Sequence, residues 1–162
     1  MNAPMVLSPE AQAKIDQAVA KYAADQKQSA VMAALTIAQD EQGWLSTATM
    51  DFVARYLGMP PIAVYEVASF YTMYDLQPVG KCKLAICTNL PCALQGAAVA
   101  AEHLKKKLRI GFGETTADGA FTLREAECLG ACGDAPVLLV NNKRMVCAMT
   151  PDKLDQLIEE LR

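Results

Sequence analysis

Apolar residues recur at helical spacing through the first half of the chain. Ala11, Ile15, Val19 and Tyr22 stand four, four and three apart, a narrow stripe on one helix face. Ser8-Pro9 ahead of them supplies a capping hydroxyl and a proline whose missing N–H costs nothing at a helix start. Val31, Met32, Leu35 and Ala38 predict a second helix, and Gly43 suits its C-terminal cap. Ser46 is placed to cap a third, carrying Met50, Val53 and Leu57 and stopped by Gly58. Pro60-Pro61 opens a short fourth with Ile62, Tyr65 and Val67-Ala68. Four short helices make a bundle with a limited core, which leans on the rest of the chain or on a partner. The aromatic run Ser69-Phe70-Tyr71-Thr72-Met73-Tyr74 then reads either as packing between the two halves or as a contact surface for another protein.

The period changes after Gly80. Cys82, Leu84 and Ile86 alternate with Lys83 and Ala85, which predicts a strand. A loop at Thr88-Asn89-Leu90-Pro91 leads into an Ala-rich helix from about Ala93 to Leu108. Its end carries Lys105, Lys106, Lys107 and Arg109, which complement the helix dipole. Asp118-Gly119 marks a turn, and Phe121 to Ala126 a second strand. Val137 to Val140 and Arg144 to Ala148 form a hairpin about Asn141-Asn142. Thr150-Pro151 opens a last helix with Leu154, Leu157, Ile158 and Leu161 on one face. The order β-α-β-β-β-α is a small α/β layer with an antiparallel hairpin.

Composition narrows what such a chain does. Hydrophobic residues make up 52% and charged residues 20% of 162, enough apolar content for a core. Fifteen basic against eighteen acidic residues give −3, which argues against non-specific nucleic-acid binding. No apolar run is long enough to span a bilayer, and the first residues lack a secretory pattern. A reducing cytosol is therefore expected, where six cysteines serve as ligands or thiols rather than disulfides. Residues 1–80 carry four basic and eight acidic residues, residues 81–162 eleven and ten. Together with the cysteines, all of which fall after position 80, this predicts a boundary near Gln77-Pro78-Val79-Gly80.

The cysteines carry the chemistry. Four residues separate Cys87 from Cys92, three separate Cys128 from Cys132, and 35 lie between the pairs. Each pair follows a predicted strand, so both loops are expected at one end of the layer. Three readings compete. A [2Fe–2S] cluster takes four soft thiolates, two on each iron. Thr88, Asn89, Gly130 and Gly133 would supply hydrogen-bonding groups around it. Structural zinc takes the same thiolates, usually from tighter knuckles. Thiol–disulfide exchange wants C-x-x-C, and a second pair would be left over. Cys82 and Cys147, inside predicted strands, read as small buried hydrophobes. His103 is the only histidine and is expected at the surface or half-buried. Gly111-Phe112-Gly113-Glu114 follows a helix rather than a strand and lacks the third glycine of a dinucleotide loop.

Five strings taken in order are distinctive: Ser69-Phe70-Tyr71-Thr72-Met73-Tyr74, Pro78-Val79-Gly80-Lys81, Cys87-Thr88-Asn89-Leu90-Pro91-Cys92, Gly113-Glu114-Thr115-Thr116-Ala117-Asp118-Gly119, and Glu127-Cys128-Leu129-Gly130-Ala131-Cys132-Gly133-Asp134-Ala135-Pro136. With Gln42-Gly43-Trp44-Leu45 they resemble the NuoE family of bacterial NADH:quinone oxidoreductase, respiratory complex I. The resemblance runs from about Ser8 to Leu161. It implies an α+β chain, with a helical bundle over 1–77 followed by a thioredoxin-like [2Fe–2S] ferredoxin domain over 78–162. It implies one [2Fe–2S] cluster on Cys87, Cys92, Cys128 and Cys132, serving as a store for single electrons. FMN and NADH would be bound by a NuoF-type partner subunit, with an iron–sulfur NuoG-type subunit nearby. On this view the chain has no substrate-converting site of its own and stays on the cytoplasmic side, peripheral to the membrane. Relatives with the same motifs serve NAD-linked formate dehydrogenases and NAD-reducing hydrogenases, which stand as alternatives beside a zinc module.

Overall fold

Helix starts and stops in the first half follow the capping chemistry. In the computed structural model, which describes residues 6–162, α1 spans Pro9–Val19, and the Ser8 side chain accepts a hydrogen bond from the Ala11 N–H. A 3₁₀ turn, Lys27–Ala30, leads into α2, Val31–Gln42. Gly43 closes α2 in the left-handed conformation at φ 81°. Ser46 caps α3, Thr47–Leu57, by accepting from the Thr49 N–H at 3.1 Å, and Gly58 ends it at φ 68°. Helix α4 is Pro61–Phe70.

The buried stripes differ in phase from the expected ones. Helix α1 ends before Tyr22, which is exposed, and buries Ala11, Ile15 and Ala18 instead. On α4 the buried pair is Val64 and Ala68, while Ile62 faces solvent. One core gathers Leu7, Ile15, Leu35, Leu45, Val53, Leu57 and Val64. Residues 73–75 are sewn to α2 by polar contacts. Tyr74 Oη donates to the Met32 carbonyl at 2.9 Å, and Gln39 Oε1 accepts from the Asp75 N–H at 2.7 Å. Of the aromatic run, Tyr74 is buried in this core, whereas Phe70, Tyr71 and Met73 are exposed.

The chain divides between Pro78 and Val79 into two compact units. In the second, β1 (Cys82–Cys87) is followed by α5 (Leu90–Leu94) and α6 (Ala97–Leu108). Then come β2 (Phe121–Ala126), β3 (Leu138–Val140), β4 (Arg144–Val146) and α7 (Pro151–Leu161). The single helix expected over Ala93 to Leu108 is two, because Gly96 at φ 94° breaks the run. The sheet order is β2-β1-β3-β4. β1 and β2 are parallel, with Cys82 opposite Phe121 and Cys87 opposite Ala126. β3 is antiparallel to β1 and pairs with β4 through a tight turn at Asn141-Asn142, both at positive φ.

Cys82, Leu84 and Ile86 join Leu123, Leu138 and Val140 in a core with Leu104 of α6 and Leu154, Leu157 and Ile158 of α7. Lys83 is buried as well, its N–H held by Asn141 Oδ1 at 2.6 Å. Gly80 enters this layer where only hydrogen fits. A Cβ there would stand 2.9 Å from both the Gly119 carbonyl oxygen and the Phe121 carbonyl carbon, which are backbone atoms unable to rotate away. Gly80→Ala is expected to destabilise the second unit by about 1–3 kcal/mol, the usual cost of overpacking, read as a lower urea midpoint.

Candidate metal centre

Two parallel neighbours ending at one edge bring the cysteine segments together. Cys87 is the last residue of β1, opposite the last residue of β2, and Cys128 follows two residues beyond that end. The Thr88 N–H bonds the Ala126 carbonyl at 3.0 Å, and Thr88 Oγ1 donates to Glu125 Oε1 at 2.7 Å. The threonine hydroxyl expected beside the sulfurs thus clamps the two segments to each other. Cys92 sits on α5 rather than in an open loop. Cys132 begins a 3₁₀ turn, Cys132–Asp134, reached through Gly130 at φ 72°.

The chain behind this turn holds it in place. The Ala148 N–H bonds the Asp134 carbonyl at 2.8 Å, and the Met149 N–H bonds the Pro136 carbonyl at 3.0 Å. The Ala135–Pro136 bond is cis.

The four sulfurs fall into two classes. Cys87 and Cys92 are each 1% exposed and share a small apolar pocket with Ala97 and Val137, while Cys128 and Cys132 face solvent. The Cys87 thiol donates to the Glu127 carbonyl at 3.5 Å, across to the segment bearing Cys128. Burial pushes the Cys92 thiol up to about 11, and its hydrogen bond and charge interaction with Cys87 add in the same direction. The Val137 N–H donates to Cys92 and works against that rise. Cys132 lies close enough to act on Cys92 through its charge. All six cysteines are free thiols. Among the described residues no three His, Cys, Asp or Glu side chains converge tightly enough to hold a single metal ion.

This donor set fits a cationic iron–sulfur group. Two thiols shut away from water, with Cys92 held protonated, need positive charge beside them before both ionise. The open pair would bring the soft donors at this end of the sheet to four. The backbone contacts of Val137 and Glu127 had no signature in residue type, because any residue but proline supplies both an N–H and a carbonyl. Cys147 lies just beyond β4, half-buried, and packs against the pocket shared by Cys87 and Cys92. The expected strand placed it one step too deep. Cys82 is buried at the other end of β1, its thiol toward the Leu161 carbonyl at 3.7 Å. His103 is half-buried on α6 and bonded to Asp155 at 2.8 Å.

In metal-free protein, iodoacetamide is expected to label Cys128 and Cys132 well before Cys87 and Cys92. The first two are exposed, whereas the second two are shielded and Cys92 is held protonated. Peptide mass spectrometry over a labelling time course reads the order. Equal rates at all four would contradict the burial described.

A family model for thioredoxin-like [2Fe-2S] ferredoxins matches residues 15–162. The E-type NADH-quinone oxidoreductase subunit of Rickettsia bellii is 42% identical over 145 residues, 89% of this chain and 86% of that protein. NADH-quinone oxidoreductase subunit 2 of Thermus thermophilus is 38% identical over 148 residues, 91% of this chain and 82% of that protein. An NAD+-reducing [NiFe]-hydrogenase crystal structure shares the fold with a TM-score of 0.68 at 23% identity, over 78% of this chain and 22% of the hydrogenase chain. Among the described residues no helix is long and apolar enough to cross a membrane. With the match spanning both cysteine pairs and nearly all of the sequence, the chain belongs to the thioredoxin-like [2Fe-2S] ferredoxin family.

Proposed function

We propose that this chain is an electron-transfer subunit of an NADH:quinone oxidoreductase, with Cys87, Cys92, Cys128 and Cys132 as the ligands of one [2Fe–2S] cluster. The arrangement of two buried and two open thiols at the common edge of β1 and β2 carries this reading. Relatives named as subunits of NADH-quinone oxidoreductase support the parent complex.

The four cysteines would hold the cluster, and the chemistry it would supply is one-electron exchange at low potential, about −400 mV for plant-type four-cysteine centres. The residues of this chain set the conditions for that. Ala97 and Val137 keep water from the inner thiolates. The Val137 N–H donates toward the Cys92 sulfur and reduces the charge it presents. The Thr88–Glu125 hydrogen bond holds the two ligand segments at a constant separation. In this reading the chain converts no substrate. It exchanges electrons with the FMN of a NuoF-type subunit, which also binds NADH, and it lies near a NuoG-type subunit on the cytoplasmic side.

The likeness to the hydrogenase supports a second reading, the equivalent subunit of an NAD+-reducing hydrogenase. The neighbouring gene discriminates, since a hydrogen-oxidising subunit in place of membrane subunits supports the second. For the cluster itself, purified chain is reconstituted with iron and sulfide. Brown protein with two irons and two sulfides per chain, and a rhombic signal after dithionite, are expected. Colourless protein with one zinc sinks the proposal.

A further inference from the structure

Cys147 is a fifth thiol at the ligand end of the sheet, outside the proposed ligand set. β4 stops at Val146, which pairs with Leu138 of β3. One step further in the same register sets Cys147 beside Val137. On its other side Val137 meets Cys87, whose N–H bonds the Val137 carbonyl at 3.1 Å. The Val137 N–H donates to Cys92. Val137 thus turns both backbone groups toward the ligands and neither toward Cys147. In an antiparallel pair of that kind the side chains stand closest, with Cα atoms about 4.5 Å apart.

The alternation of faces agrees with this placement. Ile86, Leu138 and Val146 pack in the core with α6 and α7, whereas Val137 and Cys147 pack with Cys87 and Cys92. The chain just past Cys147 is tied down by the bonds of the Ala148 and Met149 N–H groups to the Asp134 and Pro136 carbonyls. Exposure rises outward along the rung. Cys87 and Val137 are fully shielded, and Cys147 is half-buried on the side of the edge strand. Cys147 is the boundary between the inner thiols and water on that side.

We propose that Cys147 is a positioning residue for electron transfer, closing the β4 side of the ligand pocket to water and so holding the reduction potential of the cluster low through Cys87 and Cys92. That role rests on the electron-transfer reading above. A free cysteine packs as a small hydrophobe with only a weak S–H donor. Water or a hydroxyl in its place would donate to an inner ligand sulfur. The sulfur would then present less negative charge, and the added electron would be favoured.

The test uses the whole chain in two states. In the metal-free state, iodoacetamide labelling of Cys87 and Cys92 is timed by peptide mass spectrometry. Cys147→Ala removes the shielding sulfur and is expected to speed labelling of both by about tenfold, with Cys82 at the other end of β1 unchanged. Cys147→Val, apolar and similar in size, is expected to label as the parent does. In the reconstituted state, iron and sulfide are counted for each variant, and the potential is read by redox titration of the rhombic signal. Cys147→Ser is expected to load fully and to shift the one-electron equilibrium about tenfold toward the reduced form, a rise of about 59 mV. Cys147→Val is expected to keep the parent potential. A parent-like potential in loaded Cys147→Ser, or parent-like labelling in Cys147→Ala, overturns the role of Cys147 and leaves the electron-transfer reading standing. An equal rise in labelling at Cys82 marks general loosening and overturns it as well. So does a Cys147→Val potential that moves with that of Cys147→Ser, since loss of the thiol rather than entry of water would then be the cause. Failure of both variants to load, where the parent loads, makes Cys147 a ligand and overturns its positioning role. A parent chain that takes up no cluster overturns the electron-transfer reading and the role with it.

Discussion

Cys92→Ser is expected to leave the chain folded and to abolish or strongly perturb its iron centre. Cys92 is 1% exposed, hydrogen-bonded to Cys87 and approached by the Val137 N–H. Serine has nearly the same shape, so the pocket keeps its packing. Its hydroxyl does not ionise near neutral pH, and as a hard donor it is a poor partner for an iron–sulfur group. Reconstituted Cys92→Ser protein should lose the thiolate-to-iron absorption and the rhombic signal, or show both strongly altered, with a far-ultraviolet spectrum like that of the parent. Cys82→Ser is the matched control. Cys82 begins β1 and Cys87 ends it, so five strand steps of about 3.3 Å separate them. A serine there lies far from the ligand end of the strand and should load normally. If the two variants load alike, the ligand set is misassigned.

Leu84→Ala tests the scaffold rather than the ligands. Leu84 is fully buried on the strand between β2 and β3, opposite Leu123 and Val140. The lost transfer energy and the cavity left behind should cost about 2–5 kcal/mol. Domain stabilities run to about 5–15 kcal/mol, so the urea midpoint should fall far. Cluster loading should drop with it, because the edge that gathers the sulfurs is made by this strand. Val99→Ala, at a position 64% exposed, should stay within about 0.5 kcal/mol of the parent. A similar midpoint for both variants would contradict the core described for the second unit.

How legible these features were depends on where the physics resides. Helix ends rest on single residues, so Ser8, Gly43, Ser46 and Gly58 were readable in place. The strands themselves were readable because β1 and β2 alternate or run apolar between clear turns. Helix phase was less so. Val64 joined the expected Ala68 in the core of the first unit and Ile62 was left in solvent, since on so apolar a helix the neighbours choose the buried face. The break at Gly96 went unread because glycine inside an Ala-rich run is tolerated in many helices. The cysteine spacing pointed to a metal centre, yet it held no sign of which thiols are buried. That division follows from α5 and the 3₁₀ turn after Ala131, and both are set by tertiary contacts to Val137, Ala148 and Met149.

The strand ladder between β1 and β2 has an evolutionary corollary. The sulfur pairs are joined in sequence by everything from Ala93 to Glu127, but in space at the last rung of the ladder, Cys87 beside Ala126, with the bonds of Cys87 and Thr88 to Glu127, Ala126 and Glu125 around it. Length changes between α6 and β2 fall away from the sulfurs, and their cost is borne at the other end of the sheet, where Gly113 and Glu114 bond Leu123 and Gly119 bonds Lys81. A one-residue slip of β2 against β1 would act at the sulfurs instead, since it would turn the residues leading to Cys128 onto the opposite face of the sheet.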